Sequence, residues 1–195
     1  MVDVQNDFCA DGGHFERSGI DVKPSQEMVP RLDWLVSRAR EAGVQVVIVQ
    51  AIYDDKYIGP AELDRRRRSD SEWPRCVEGT WGADLYQLRP GPGDIVVRKH
   101  RYSGFVGTDL DLVLRSRGIR TVVVTGVATD VCVEATARDA FMRDYYVVVV
   151  TDCTAATTPS VQAATLDRLA AYFGVLTTSK ELADFWQRAV RRGGA

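Results

Sequence analysis

Of the four cysteines in this chain, Cys132 stands where a thiol gains reactivity. It follows Thr125-Gly126-Val127-Ala128-Thr129-Asp130-Val131, which reads as a strand, a tight turn and the start of a helix. Unpaired N–H groups and the positive end of the helix dipole meet in that first turn. Both favour a thiolate, and the same N–H groups can hold an oxyanion. The competing reading is a small buried apolar cysteine, as most free cysteines are. Cys153 follows a strand without an immediate helix start, Cys9 lies in a glycine-bearing loop and Cys76 in an irregular stretch, so all three read as packing residues.

A cysteine nucleophile needs a proton acceptor. His14 sits in the glycine-bearing loop and reads as exposed. His100 ends the strand Asp94–His100 and is a candidate for a Cys–His pair. Lys99 precedes it, and neighbours in an extended segment point to opposite faces, so only one of the two can face the site. Asp3 lies inside an otherwise apolar strand, Met1-Val2-Asp3-Val4, where a carboxylate needs a partner. A buried Asp, a cationic group and a thiol at strand ends would form an acid–base set. Metal and nucleotide chemistry find no support: the histidines are far apart, the cysteines lack zinc spacing, and no phosphate-binding glycine motif is present.

Positioning these residues requires a framework, and the composition supplies one. The 195 residues are 45% hydrophobic and 27% charged with a formal net charge of −2, which fits a globular chain and disfavours nucleic acid as a partner. No apolar run reaches the roughly 18 residues that span a bilayer. Met1 is followed by no basic-then-apolar leader, and the scattered cysteines suit a reducing compartment, so the expected location is the cytoplasm.

Strands are expected over 44–52, 94–98, 121–125, 146–151 and 175–177, with a short opening one at Met1–Val4 that ends at Gln5-Asn6-Asp7. Helices are expected from a Ser25 cap to Gly43, over 109–117 from a Thr108 cap, over 130–143, over 160–173, and at the carboxyl end with Leu182, Phe185, Trp186 and Val190. The stretch 53–88 reads as irregular. Its arginine tract, Arg65 to Arg68, reads as a solvated face balanced by Asp64, Asp70 and Glu72. Strands apolar on both faces, alternating with helices, predict one α/β domain over 1–195 with a parallel sheet covered on both sides. In such sheets, ligands bind beyond the carboxyl ends of the strands.

Four ordered blocks, Val2–Phe8, Glu78–Ala83, Lys99–Phe105 and Gly126–Val133, resemble the isochorismatase-like cysteine hydrolases over nearly the whole chain. The resemblance implies a three-layer α/β/α sandwich, Rossmann-like, with a mainly parallel six-stranded sheet. It implies an Asp–Lys–Cys triad of Asp3, Lys99 and Cys132, which selects the lysine over His100. It also implies a cis peptide before Ala128, whose N–H joins that of Cys132 as the oxyanion hole.

Nicotinamidases of this superfamily carry an Asp–His–His metal site after the second strand. Tyr53-Asp54-Asp55-Lys56-Tyr57 holds no histidine, so no metal and no other cofactor is expected. True isochorismatases need no cysteine, so Cys132 favours C–N hydrolysis. Lys99–Phe105, Leu114–Arg120 and Cys132–Asp139 look most like the ureidoacrylate amidohydrolases and their carbamoyl-cleaving relatives.

The expected substrate is a small amide or ureido compound, walled by Phe8, Trp81, Tyr102 and Phe105 with Thr129 beside the nucleophile. Asp54, Asp55 and Lys56 would add polar contacts, and Arg101 or Lys56 would meet a substrate carboxylate. The runner-up readings are a ligand-binding or thiol redox-sensing member of the fold, or a superfamily enzyme acting on nicotinamide or isochorismate. Phe185, Trp186 and the 53–88 stretch offer apolar surface for a homo-oligomer, a dimer or tetramer.

Overall fold

The valine-rich runs become parallel strands. In the computed structural model, which describes residues 1–68 and 74–193, β1 (Val47–Ala51) pairs with β2 (Ile95–Lys99). β3 (Thr121–Val127) pairs with β4 (Tyr146–Ala155), which pairs with β5 (Val175–Thr177), and every ladder is parallel. Val2 joins the two groups through one parallel bridge to Val49 and another to Gly126. The order across the sheet is therefore β2-β1-Val2-β3-β4-β5.

Among the described residues five strands stand where six were expected. The sixth position is held by Val2 alone, because Asp3 has a left-handed φ of 53° that turns the chain out of the sheet. A non-glycine residue in that conformation is costly and is held only by its surroundings.

Eight helices occur among the described residues: α1 (Asn6–Cys9), α2 (His14–Arg17), α3 (Lys23–Glu41), α4 (Pro60–Arg68), α5 (Leu110–Ser116), α6 (Glu134–Phe141), α7 (Pro159–Tyr172) and α8 (Ser179–Gly193). Met28, Leu32, Leu35 and Val36 of α3 pack on one face of the sheet with Leu182 and Ala183 of α8. Leu110 and Leu114 of α5, Ala137 and Ala140 of α6 and Leu169 of α7 fill the other face. These two cores make three layers. Among the described residues no helix is long and apolar enough to cross a membrane.

Several boundaries differ from expectation. The first long helix starts at Lys23, because Pro24 fits its first turn, and Ser25 is buried within it. Asp109 caps α5, while the Thr108 hydroxyl accepts from the Leu110 N–H at 3.2 Å. The expected helix over 130–143 opens as a π-helical turn, Thr129–Val133, before α6. β4 runs four residues further than the expected 146–151, to Ala155. The irregular stretch contains α4 and two single 3-10 turns, Asp55–Tyr57 and Trp81–Ala83. The arginine tract lies on α4, where Arg65 pairs with Glu62, Arg66 with Asp55 and Glu62, and Arg67 with Asp64; Asp70 and Glu72 lie outside the described residues.

Candidate active site

Asp3, Lys99 and Cys132 come together at the carboxyl end of the sheet. Lys99 ends β2, Asp3 directly follows the Val2 bridge, and Cys132 lies in the turn after β3. Lys99 Nζ is 2.7 Å from Asp3 Oδ2 and 3.4 Å from Cys132 Sγ, and it donates to the Arg101 carbonyl at 3.0 Å. The ammonium is thereby held by two hydrogen bonds and one ion pair. Lys99 is 0% exposed and Asp3 1%, so the pair lies outside the reach of bulk water.

Burial sets the protonation states. It pushes the Asp3 carboxyl above its ordinary range, against the pull of Lys99. It would lower Lys99, but the charge of Asp3 and the neighbouring Cys132 outweigh it and hold the ammonium above its usual value. It pushes the Cys132 thiol up to about 12; the Asp3 charge adds to this and Lys99 opposes it. The resting site is therefore a neutral thiol beside an ion pair. Dehydration and Asp3 thus oppose the pull that the turn's N–H groups and Lys99 exert towards the thiolate. No hydrogen bond of ordinary geometry reaches either Asp3 oxygen, although Lys99 is in ionic contact and the Cys132 thiol also favours the charged carboxylate.

The backbone around Cys132 has an unusual shape. The Val127–Ala128 peptide is cis, as the resemblance implied. The Ala128 carbonyl accepts from Val131 and Val133 N–H, each at 3.1 Å. Thr129 is fully buried, and among the described residues its hydroxyl has no hydrogen-bond partner. At Gly126 a Cβ would lie 2.0 Å from the Val2 carbonyl oxygen, and φ is 111°, so only glycine lets the segment carrying Asp3 lie against β3.

Residues that the sequence offered only as a strand break hold this corner together. Gln5 Nε2 donates to the Ala51 and Ala83 carbonyls at 2.9 and 2.8 Å, and its Oε1 accepts from Ala51 N–H at 2.8 Å. Asn6 Nδ2 donates to Trp81 O at 2.8 Å, and the Asp7 carboxylate accepts from Cys76 N–H at 2.6 Å and His14 N–H at 3.1 Å. Three consecutive polar residues thus clamp 76–83 and α2 to the N-terminal segment. Tyr53, which the sequence placed at a strand's carboxyl end without a role of its own, also belongs here: its ring lies 5.9 Å from Lys99 Nζ and carries the Arg75 guanidinium at 4.8 Å. Its signal was position, one residue beyond the expected strand 44–52.

The other expected residues divide. Tyr102 is partly exposed and lines a small cavity of about 70 Å³ with Tyr53, Tyr57 and His100. Trp81 is half exposed beside the Gln5–Asp7 clamp. Phe8 is buried against Phe15, with ring centroids 4.9 Å apart, and Phe105 is buried against Tyr145 at 5.9 Å, so both lie in core packing. Lys56 is paired with Asp54 at 3.2 Å, and Arg101 donates to the Tyr57 and His100 carbonyls.

His100 faces away from the triad's contacts: its Nδ1 is 2.7 Å from the Ile52 carbonyl and its ring stacks on Tyr57 at 3.6 Å. His14, expected to be exposed, is 2% exposed, because α2 folds under the Asp7 carboxylate. Cys9 and Cys153 are buried, with thiols pushed up to about 12 by burial, and Cys76 is buried and raised in the same way. Among the described residues no three His, Cys, Asp or Glu side chains converge as metal ligands would.

Comparison with known proteins places this geometry in a family. The isochorismatase domain model matches residues 1–181. A ureidoacrylate amidohydrolase RutB from Methylorubrum extorquens is 40% identical over 188 residues, covering 89% of this chain and 76% of the relative. Among solved structures, a cysteine hydrolase from Pseudomonas syringae superposes with a TM-score of 0.84 at 30% identity, covering 97% of this chain and 91% of that one. An N-carbamoylsarcosine amidase from Thermoplasma acidophilum superposes with a TM-score of 0.74 at 31% identity, covering 91% and 93%. With its blocks in order, its parallel α/β/α framework and a model match over nearly its whole length, the chain belongs to the isochorismatase family.

Proposed function

We propose that this chain hydrolyses a C–N bond in a small ureido, carbamoyl or amide compound, with Cys132 as nucleophile, Asp3 as proton carrier and Lys99 as the fixed cation between them. The observation that carries the reading is the buried contact of Lys99 Nζ with both Asp3 and Cys132. The family membership supports hydrolysis, and the ureidoacrylate and N-carbamoylsarcosine relatives support a ureido or carbamoyl substrate.

The chemistry follows from the proton inventory. Asp3 takes the proton of the Cys132 thiol, and Lys99 stabilises the resulting thiolate. The thiolate attacks the carbonyl carbon, and the tetrahedral oxyanion rests on the N–H groups of Ala128 and Cys132. The C–N bond breaks as Asp3 returns the proton to the leaving nitrogen. A water then gives a proton to Asp3 and attacks the thioester; the Cys132 sulfur leaves and regains its proton. Asp3 is suited to this exchange because burial raises its basicity towards that of its partner. Thr129, with an unpartnered buried hydroxyl, is the side chain in this turn assigned to the substrate. We also assign the chain to the cytoplasm, where four free thiols persist, and to a homo-oligomer.

The test is ammonia release from a panel of ureido and amide compounds, with and without EDTA, for the unaltered chain and Cys132→Ala. Turnover of a ureido compound that EDTA leaves unchanged and Cys132→Ala abolishes is expected. Hydrolysis of nicotinamide that EDTA stops, with no ureido compound turned over, overturns the reading.

A further inference from the structure

Thr136, near the start of α6, is 5% exposed, and its hydroxyl is used twice. It donates to the Cys132 carbonyl at 2.6 Å and accepts from the Gly104 N–H at 3.0 Å. A threonine hydroxyl inside a helix can bond the carbonyl four residues back, and by itself such a bond slightly destabilises the helix. Here the bond commits the hydroxyl proton to Cys132, which leaves a lone pair for a donor from another part of the chain. Two hydrogen bonds in series polarise each other, so the run from Gly104 through Thr136 to Cys132 is stronger than two separate bonds.

Gly104 belongs to the turn that follows β2 and therefore follows Lys99. Its carbonyl accepts from the Thr108 hydroxyl at 2.5 Å, so both of its backbone polar groups end on threonine side chains. A Cβ there would lie 3.2 Å from Val49 Cγ1 and 3.2 Å from Leu110 Cδ2, so the turn is seated tightly between β1 and α5. The same turn supplies the Arg101 carbonyl, which accepts from Lys99 Nζ at 3.0 Å. These contacts close a ring. It runs from the Cys132 sulfur to the Lys99 ammonium and the Arg101 carbonyl, along the chain to the Gly104 amide, and through the Thr136 hydroxyl back to the Cys132 carbonyl.

We propose that Thr136 is a positioning residue. Its hydroxyl sets the 3.4 Å approach of Lys99 Nζ to Cys132 Sγ by fastening the turn after β2 to the backbone of the nucleophile. The inference rests on the roles proposed for Cys132 and Lys99. Without the hydroxyl, the Gly104 N–H and the Cys132 carbonyl each lose a buried partner, and the turn is released. The Arg101 carbonyl then carries the ammonium with it, and the thiolate forms with its cation displaced. A shift of about 1 Å at such a contact costs as much as about 100-fold in rate. Thr136 spends both of its bonds within the chain, so the loss is expected in kcat and not in KM.

The test is Thr136→Val, which keeps the side chain's shape and removes the hydroxyl, beside Thr136→Ser, which keeps the hydroxyl. Thr136→Val is expected to lower kcat about tenfold or more with KM within about threefold, and Thr136→Ser to hold kcat within about threefold of the unaltered chain. A Thr136→Val variant that melts lower but keeps kcat overturns the proposal, since the hydroxyl then serves packing alone. So does a rise in KM with kcat kept, or an equal loss of kcat in both variants. If the unaltered chain turns over no compound of the panel, the reading of the function fails, and alkylation of Cys132 by iodoacetamide, read by peptide mass, tests the link in its place. A rate lowered about fivefold or more in Thr136→Val and kept in Thr136→Ser upholds the link, and an unchanged or raised rate overturns it. If Thr136→Val does not fold, amide exchange in the unaltered chain decides. A Gly104 N–H that exchanges as slowly as the α6 amides upholds the link, and one that exchanges like an exposed loop overturns it.

Discussion

In the proposed mechanism one proton moves between the Cys132 thiol and Asp3, and Asp3 accepts it only while ionised, so activity is expected to fall as pH falls through the Asp3 pKa. Because burial raises that pKa, the acid limb of kcat/KM is expected above the ordinary 3.8. A limb at or below that value would remove Asp3 as the base. Asp3→Asn and Lys99→Met are each expected to lower kcat about 100-fold or more. Either one leaves a buried partner uncompensated, so the double variant, which removes both charges, serves as the control for folding by circular dichroism. His100→Ala is expected to keep most activity, since its ring answers to Ile52 and Tyr57; loss there with activity kept in Lys99→Met would restore a Cys–His pair. From the residues alone the sequence left Lys99 and His100 open, because alternation says that one faces the site without saying which. The family resemblance chose. Gln5, Asn6 and Asp7 were legible as a break in a strand and as part of a family block, but not as a clamp, because their work is to bind carbonyls and amides of a segment about 70 to 80 residues away in sequence.

Elements written as β-branched runs were legible, and those defined by hydrogen-bond pattern or charge pairing were not. α4 has no buried residue and no apolar face; pairs such as Glu62 with Arg65 and Asp64 with Arg67 support it locally, and no hydrophobic period announces it. The π-helical turn before α6 differs from an α-helix only in its bonding, which composition does not encode. At the central strand position two consequences follow. Gly126→Ala places a methyl group against Val2 O and is expected to cost about 3 kcal/mol of stability and to lower kcat by displacing Asp3. An unchanged melting curve would refute the close approach. The enclosed Met1 ammonium, lowered from 8.0 to about 6 by burial, binds its proton more weakly in the folded chain than in the unfolded one. Stability is therefore expected to rise as pH goes from 6 to 8, by on the order of 2 kcal/mol, and to lose that rise when Met1 is N-acetylated. Urea titrations at the two pH values measure it, and a flat or falling profile in the unmodified chain would contradict the enclosure.

At the scale of the whole molecule, the surface carries more apolar area at one end than packing explains. Of the two α8 residues expected to offer an interface, Trp186 is partly buried against the core and Phe185 is exposed. Exposed apolar side chains gather at the carboxyl ends of α6 and α7. Met142 is 73% exposed and Tyr172 70%, and the Phe141 and Tyr172 rings contact Phe173 at 5.7 and 6.2 Å. β5, a three-residue strand at the sheet edge with Val175 exposed, is a further apolar exposure on this chain. An apolar cluster of this kind suits burial against a second copy, since a twofold contact lets the same patch meet itself. Cys132 lies in the turn that opens α6, at the opposite end of that helix from Phe141 and Met142, so the contact would leave the candidate site uncovered. The chain is therefore expected to run as a dimer in light scattering at micromolar concentration. Met142→Asp combined with Tyr172→Asp should shift it to the 21.6 kDa monomer, with the ammonia-releasing activity lowered and not abolished. A monomer in the unaltered chain at tens of micromolar would refute the assembly, and a dimer untouched by the double substitution would move the interface elsewhere on the surface.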